Sequence, residues 1–190
     1  MKSLAIFASG RGSNAQNIIR YFRQSKSIRI RLIVSSHEKA GVLDIARNEG
    51  IPSLVLDKKE YYGSGESLVK SLTDYQIDGI VLAGFLWLVP TYLIENYPHA
   101  IINIHPALLP KYGGKGMYGM HVHEAVWKNK ENHTGITIHE VNERYDEGKT
   151  LFQATCPLSP QDLPEEIARK VHELEYAHYP RVIEEYFNSQ

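Results

Sequence analysis

The sequence predicts an α/β protein: a doubly wound, mostly parallel sheet with an irregular C-terminal half that carries an antiparallel strand. Three observations predict it. Short β-rich runs alternate with helical stretches through the first half of the chain. Two of those runs, "GIVLAG" and "AIINIH", are almost wholly apolar, as strands covered on both faces are. After "NIH" the alternation breaks into a Pro/Gly-rich loop, two strands of alternating polarity and one long helix.

In chain order, the strand "SLAIFA" is followed by the helix "AQNIIRYFRQ", the strand "IRIRLIVSS" and a helix near "AGVLDIARNEG", where Gly50 suits a C-cap. The strand "SLVLD", the helix "ESLVKSLTDY", "GIVLAG", a helix in "PTYLIENY" opened by Pro90, and "AIINIH" continue the pattern. Beyond the loop come a helix near "HEAVWKN", the strands "HTGITIHEV" and "TLFQATCPL", and a final helix from Pro164 to about Phe187. Pro164-Glu165-Glu166 fits a first helical turn and its dipole, and Ile167, Val171, Leu174 and Ala177 define the face expected to pack on the sheet. No repeat, low-complexity tract or linker interrupts the chain, so residues 1–190 read as one domain.

The composition excludes several function classes. With 21 basic and 22 acidic residues the net charge is -1, which lacks the positive field of a nucleic-acid binder. Cys156 is the sole cysteine, so there is no internal disulfide or multi-cysteine zinc site, and a reducing, cytoplasmic setting is expected. "SLAIFA" gives way to "SGRGSN" too soon for a signal peptide, and no later apolar run is long enough to span a bilayer. Oligomeric state stays open, a homodimer included.

Two stretches carry chemistry. "SGRGSNA" ends the first strand and opens the first helix, so backbone N–H groups of Gly12, Ser13 and Asn14 converge where an anion is favoured. The letters also fit a dinucleotide fingerprint, but the second strand ends in Ser35-Ser36-His37 where that motif needs an acid, and the mononucleotide P-loop pattern is absent. A phosphate monoester is the preferred guest; a ligand-free turn capped by Ser13 or Asn14 is the alternative. In "IINIHP", Asn103 and His105 lie two apart on one face, at the carboxyl end of a strand where open sheets bind ligands. An amide donor beside an imidazole suits acyl transfer, and "RYDEG" offers Asp146 to orient the ring. A hydrogen-bonded core histidine is the plainer alternative for His105.

His121 and His123, with His133 and His139 nearby, raise the question of a metal. The pair opens a helix, where positions two apart diverge, and no H-E-x-x-H or cysteine accompanies it, so no metal is expected. His121 is read as a pocket-lining residue and His123 as an ordinary polar residue on a helix.

Together "ASGRGSN", "VLAGF", "NIHPALLPKY", "TIHEVNERYDEGKTLFQ" and "ELEYAHYP" resemble the phosphoribosylglycinamide formyltransferase family, over nearly the whole chain. The N-x-H-P-x-L-L-P block and downstream D-x-G are shared by the wider folate-dependent formyltransferases, whereas G-x-G-S-N suits a ribose phosphate. The resemblance implies a formyltransferase-like Rossmann-type fold. It also implies formyl transfer from 10-formyltetrahydrofolate, as co-substrate, to the amine of glycinamide ribonucleotide, without metal or covalent enzyme intermediate. By the same resemblance Asn103 holds the formyl oxygen, His105 stabilises the oxyanion, and Asp146 orients His105 and organises the proton path. Gly12, Ser13 and Asn14 hold the ribose phosphate, and Glu175 contacts the ribose or glycinamide end. Leu88 and the segment from Val141 to Tyr145, with His121, line the folate pocket. The implied partners are small molecules, with no nucleic acid or membrane.

The chain departs from the family pattern at three places. Leu86-Trp87 stands where many members have Met-Arg, which opens the question of how the folate tail is met. Gly113 to Met120 is a glycine-rich insertion expected to act as a lid, with Lys115 near an anionic ligand. His172 replaces a common glutamine in the final helix. The competing functions are a sugar-nucleotide N-formyltransferase and a non-catalytic nucleotide-binding module.

Overall fold

The computed structural model describes residues 1–190. Seven strands form one sheet: β1 (Lys2–Ala8), β2 (Ile28–Ser35), β3 (Ser53–Val55), β4 (Gly79–Leu82), β5 (Ile101–His105), β6 (His133–Glu140) and β7 (Thr150–Pro157). Their order is β3-β2-β1-β4-β5-β6-β7. The first five pair in parallel, while β6 runs antiparallel to β5 and β7 antiparallel to β6. The helices are α1 (Ser13–Phe22), α2 (Val42–Asn48), α3 (Lys58–Tyr61), α4 (Glu66–Asp74), α5 (Thr91–Asn96), α6 (Met120–Lys128) and α7 (Pro164–Asn188). None is long and apolar enough to cross a membrane.

From β1 the chain winds outward to β3, then returns to place β4 on the other side of β1. This reversal leaves a crevice outside the carboxyl ends of β1 and β4, the place where open α/β sheets bind ligands. Ser9, just past β1, fastens the crevice walls: its N–H donates to Gly84 O at 3.0 Å and its hydroxyl accepts the Leu86 N–H at 3.0 Å. On one sheet face Leu4, Ile6 and Ile33 pack with α1, α2 and α7; on the other Ala5, Phe7 and Leu32 pack with α3, α4 and α5. Full burial of one such side chain contributes about 1.5–3 kcal/mol.

Local chemistry sets the helix boundaries. α2 ends as expected at Gly50, which has φ +65, with Gly50 N–H on Arg47 O and Ile51 N–H on Ala46 O. α7 continues through Pro180, which has no N–H for Tyr176 O; Asn17 of α1 donates to that carbonyl at 3.0 Å instead. α6 starts at Met120, so His121 and His123 lie in its first turn, as the sequence reading has it. Two details differ from the sequence reading. α3, a single turn capped by the Asp57 side chain, has too few residues to show a helical period. Ala177 is exposed, because α7 turns Glu175, Tyr179 and Ile183 toward the sheet after Val171. The Tyr179 hydroxyl donates to Leu82 O at 2.8 Å, anchoring α7 beneath the carboxyl end of β4.

Candidate active site

β5 presents Asn103 and His105 on one face, and antiparallel β6 sets His139 opposite Asn103 and Thr137 opposite His105. Alternation alone makes β6 a half-exposed strand, yet Thr137 and His139 are buried. The loop after β5 covers that polar face: the Thr137 hydroxyl donates to Ala107 O at 2.7 Å and accepts the Leu109 N–H at 3.0 Å. The polar face of β6 is therefore a wall of the site.

Asp146, in the loop between β6 and β7 with φ 58, completes the group. Its Oδ2 stands 3.5 Å from His105 Nδ1 and accepts the Gly114 N–H at 2.9 Å, while Oδ1 stands 3.6 Å from His139 Nε2. Gly148 has to be glycine, since a Cβ there would run into the Glu140 carbonyl. That carbonyl accepts His139 Nδ1–H at 2.7 Å, which leaves Nε2 as an acceptor for the Asn103 amide at 3.2 Å. One Asn103 N–H and its carbonyl remain for a ligand.

His105 is 3% exposed, and its Nε2 donates to Tyr112 O at 2.7 Å. Burial pushes its pKa down, against the pull of Asp146 upward. The neutral ring thus carries its proton on Nε2 and turns the Nδ1 lone pair toward Asp146. For Asp146 burial is the largest single effect and pushes upward, but the positive charge that the neighbouring imidazoles carry when protonated and the Gly114 N–H together outweigh it and hold the carboxyl below its usual range. The site pairs a carboxylate with a neutral imidazole that can take a proton at Nδ1. The expectation that His105 itself donates to a substrate oxygen meets an obstacle here, because its one N–H is given by Nε2 to Tyr112 O and the neutral Nδ1 can only accept; the donor left free is Asn103.

α1 begins at Ser13 behind Gly12, which has φ 80 and whose Cβ position would strike Val42 at 2.7 Å. No side chain caps this helix and no acid lies in its first turn, so its leading N–H groups favour an anion. Asn14 donates from Nδ2 to Glu175 Oε2 at 2.8 Å, and its buried Oδ1 has no partner. Glu175 is 5% exposed; burial raises its pKa, with the Asn14 hydrogen bond and His172 Nε2 at 3.8 Å opposing. A buried orphan acceptor beside a buried carboxyl fits a ligand bearing hydroxyl or amine hydrogens.

The other expected positions are less closely joined. Leu88 and Tyr145 are half-buried. Val141 N–H is already bonded to Ile101 O at 2.9 Å, so only the Val141 carbonyl is open to a ligand. His121 is exposed with its ring edge-on to Tyr118, and Lys115 is exposed in the inserted loop. His123 is not the ordinary polar residue expected: it is 3% exposed, burial takes its pKa to about 4, and its Nδ1 has no partner. Val122, His123 and Val126 form the buried face of α6, which packs on α7. Sequence reasoning missed the part played by His139 and Thr137; their position two apart on a strand, matching Asn103 and His105, was the available signal.

Residues 2–183 match the formyl transferase family. The chloroplastic phosphoribosylglycinamide formyltransferase of Arabidopsis thaliana is 41% identical over 187 residues, covering 96% of this chain, and the chain spans 64% of that relative's length. The phosphoribosylglycinamide formyltransferase of Bacillus subtilis is 32% identical over 97% of this chain and 94% of its own. The crystal structure of phosphoribosylglycinamide formyltransferase from Streptococcus pneumoniae superposes with a TM-score of 0.86 at 34% identity, covering 98% of this chain and 99% of that one. Fold and relatives agree: the chain belongs to the formyl transferase family, on its phosphoribosylglycinamide formyltransferase branch.

Proposed function

We propose that this chain transfers the formyl group of 10-formyltetrahydrofolate to the amine of 5'-phosphoribosylglycinamide, giving N-formylglycinamide ribonucleotide and tetrahydrofolate. The observation that carries this reading is the shared location of three parts. The uncapped start of α1, the Asn14–Glu175 pair and the Asn103–His105–Asp146 group all lie at the carboxyl end of one sheet. The folate supplies an electrophilic formyl carbon attached to a leaving nitrogen. Each remaining task falls to a group described above.

Ser13 and Asn14 N–H groups hold the phosphate behind Gly12, and Asn14 Oδ1 with Glu175 takes ribose hydroxyl or amine hydrogens. The free Asn103 N–H, held by its partner His139, donates to the formyl oxygen as negative charge develops there. His105 Nδ1 takes the proton that the attacking amine sheds, Asp146 stabilises the resulting imidazolium, and the same proton passes to the departing folate nitrogen. Backbone groups around Leu88, the Val141 carbonyl and Tyr145 border the folate. A cytoplasmic location and the absence of a metal requirement are part of this reading.

The test is product identification by mass spectrometry with EDTA present, offering glycinamide ribonucleotide and an amino-sugar nucleotide in parallel. Formylation of the ribonucleotide is expected. Formylation of the sugar nucleotide alone supports the other acceptor class, and no product from either overturns formyl transfer.

A further inference from the structure

At the end of the sheet opposite the site described above, the amino ends of β2 and β3 border a cavity of about 330 Å³ that the mechanism does not use. β3 pairs with β2 only along Ile33–Ser35, so the preceding residues of β2 have no strand beside them on that edge. Two arginines of this open stretch, Arg29 and Arg31, line the cavity. Phe22 of α1 and Ile51 beyond α2 line it from one face of the sheet, and Tyr75, the C-cap of α4, lines it from the other.

The positive charge here is not spent on the protein. Arg29 and Arg31 stand in no ion pair. Glu49 is the one acid in the lining, and both its oxygens accept from Arg23 Nη2 at 2.8 Å. Three arginines against one carboxylate leave two positive charges facing the cavity. Charged side chains on an open strand edge serve to block pairing with other chains, which accounts for two arginines. It does not account for a cavity with apolar walls and no acid left free.

The backbone also selects the kind of guest. Leu4 pairs with Ile30 and Ala5 with Leu32, so Arg31 is the extra residue of a β-bulge. A bulge re-aims a side chain and breaks the regular ladder that an added peptide strand would need. A second copy on this edge would crowd four unpaired guanidinium groups together. A small anion needs only the two forks. One carboxylate engages one fork, whereas a phosphomonoester brings three acceptor oxygens and close to two charges. The volume equals that of roughly ten water molecules, which sets the guest at about that many non-hydrogen atoms.

We propose that this cavity binds a small phosphomonoester with a flat apolar body, its phosphate between Arg29 and Arg31 and its body against Phe22 and Ile51. The site is separate from the formyl-transfer centre, and its test leaves that reading untouched.

The experiment uses the full chain, with amide NMR shifts followed residue by residue during titration with phenyl phosphate, inorganic phosphate and benzoate. An acidic peptide of alternating valine and glutamate is titrated in parallel. Saturating shifts at Arg29, Arg31, Ile51 and Tyr75 are expected with phenyl phosphate. Its affinity there is expected to exceed that of inorganic phosphate by roughly tenfold, because the ring leaves water, and that of benzoate by at least roughly tenfold, because one carboxylate fills one fork. Arg29→Gln with Arg31→Gln is expected to weaken phenyl phosphate at these residues by at least roughly tenfold, with any response at Ser13 and Asn14 unchanged. Shifts confined to Ser13 and Asn14, equal affinity for phosphate and phenyl phosphate or for benzoate and phenyl phosphate, or affinity that survives the double change overturns the proposal. A response of β2 to the peptide with none to phenyl phosphate overturns it in favour of strand addition.

Discussion

Replacing Asp146 by Asn removes one charge while keeping nearly the same shape, and the geometry allows the effect to be sized. The carboxylate stands 3.5 Å from His105 Nδ1, the atom assigned to carry the proton. Two unit charges at that distance attract by roughly 4–5 kcal/mol at an effective dielectric near 20. At about 1.4 kcal/mol per factor of ten, forming the imidazolium without its partner becomes harder by about three powers of ten. An amide dipole recovers part of this, so kcat is expected to fall roughly 300- to 3000-fold. KM should change little, because the assigned phosphate and ribose contacts lie elsewhere. The fold should survive, since the Asn oxygen can still accept the Gly114 N–H that Asp146 accepts at 2.9 Å. Steady-state formylation measured beside thermal melting tests this. A folded Asp146→Asn protein with kcat within about tenfold of the parent refutes the assigned proton path.

Two further substitutions probe the supports of the site. Burial raises the Glu175 carboxyl above its usual range, against smaller pulls from Asn14 and His172. The folded state therefore holds that proton more tightly than the unfolded chain, and stability is lost as pH rises through the raised value. Glu175→Gln is expected to melt higher than the parent at neutral pH, with the gap closing below a pH of about 4; a pH-independent gap contradicts the buried-charge account. Gly148→Ala pushes a Cβ into the Glu140 carbonyl that receives His139, with an expected loss of about 1–3 kcal/mol and a fall in kcat. An unchanged denaturant midpoint contradicts that packing.

Much of this architecture is legible in the sequence because local signals and tertiary role coincide. The apolar "GIVLAG" and "AIINIH" become central strands whose apolar residues are buried on both faces, and Gly50 ends α2 where a left-handed residue is required. Asn103, His105 and Asp146 come together because a two-residue spacing fixes a shared face and a short loop returns Asp146 to it. What stays hidden depends on partners distant in sequence. His139 earns its place only through antiparallel register with Asn103, and His123 is buried only because α7 covers α6. Nothing local reveals that Tyr112 O occupies His105 Nε2, since that contact depends on the path of the loop after Pro106. The inserted Gly113–Met120 segment, expected as a lid, is tied at its base to the site through Gly114 and Asp146.

The most direct test of the account is a single-turnover assay of formyl transfer to glycinamide ribonucleotide by the parent chain and by Asn103→Ala, with melting curves for both. Asn103 is the one donor in the group with an N–H free for the formyl oxygen, so the account predicts formylated ribonucleotide from the parent. It predicts a rate lower by about 100- to 1000-fold from a variant that melts like the parent. Near-equal rates from two folded proteins would contradict it.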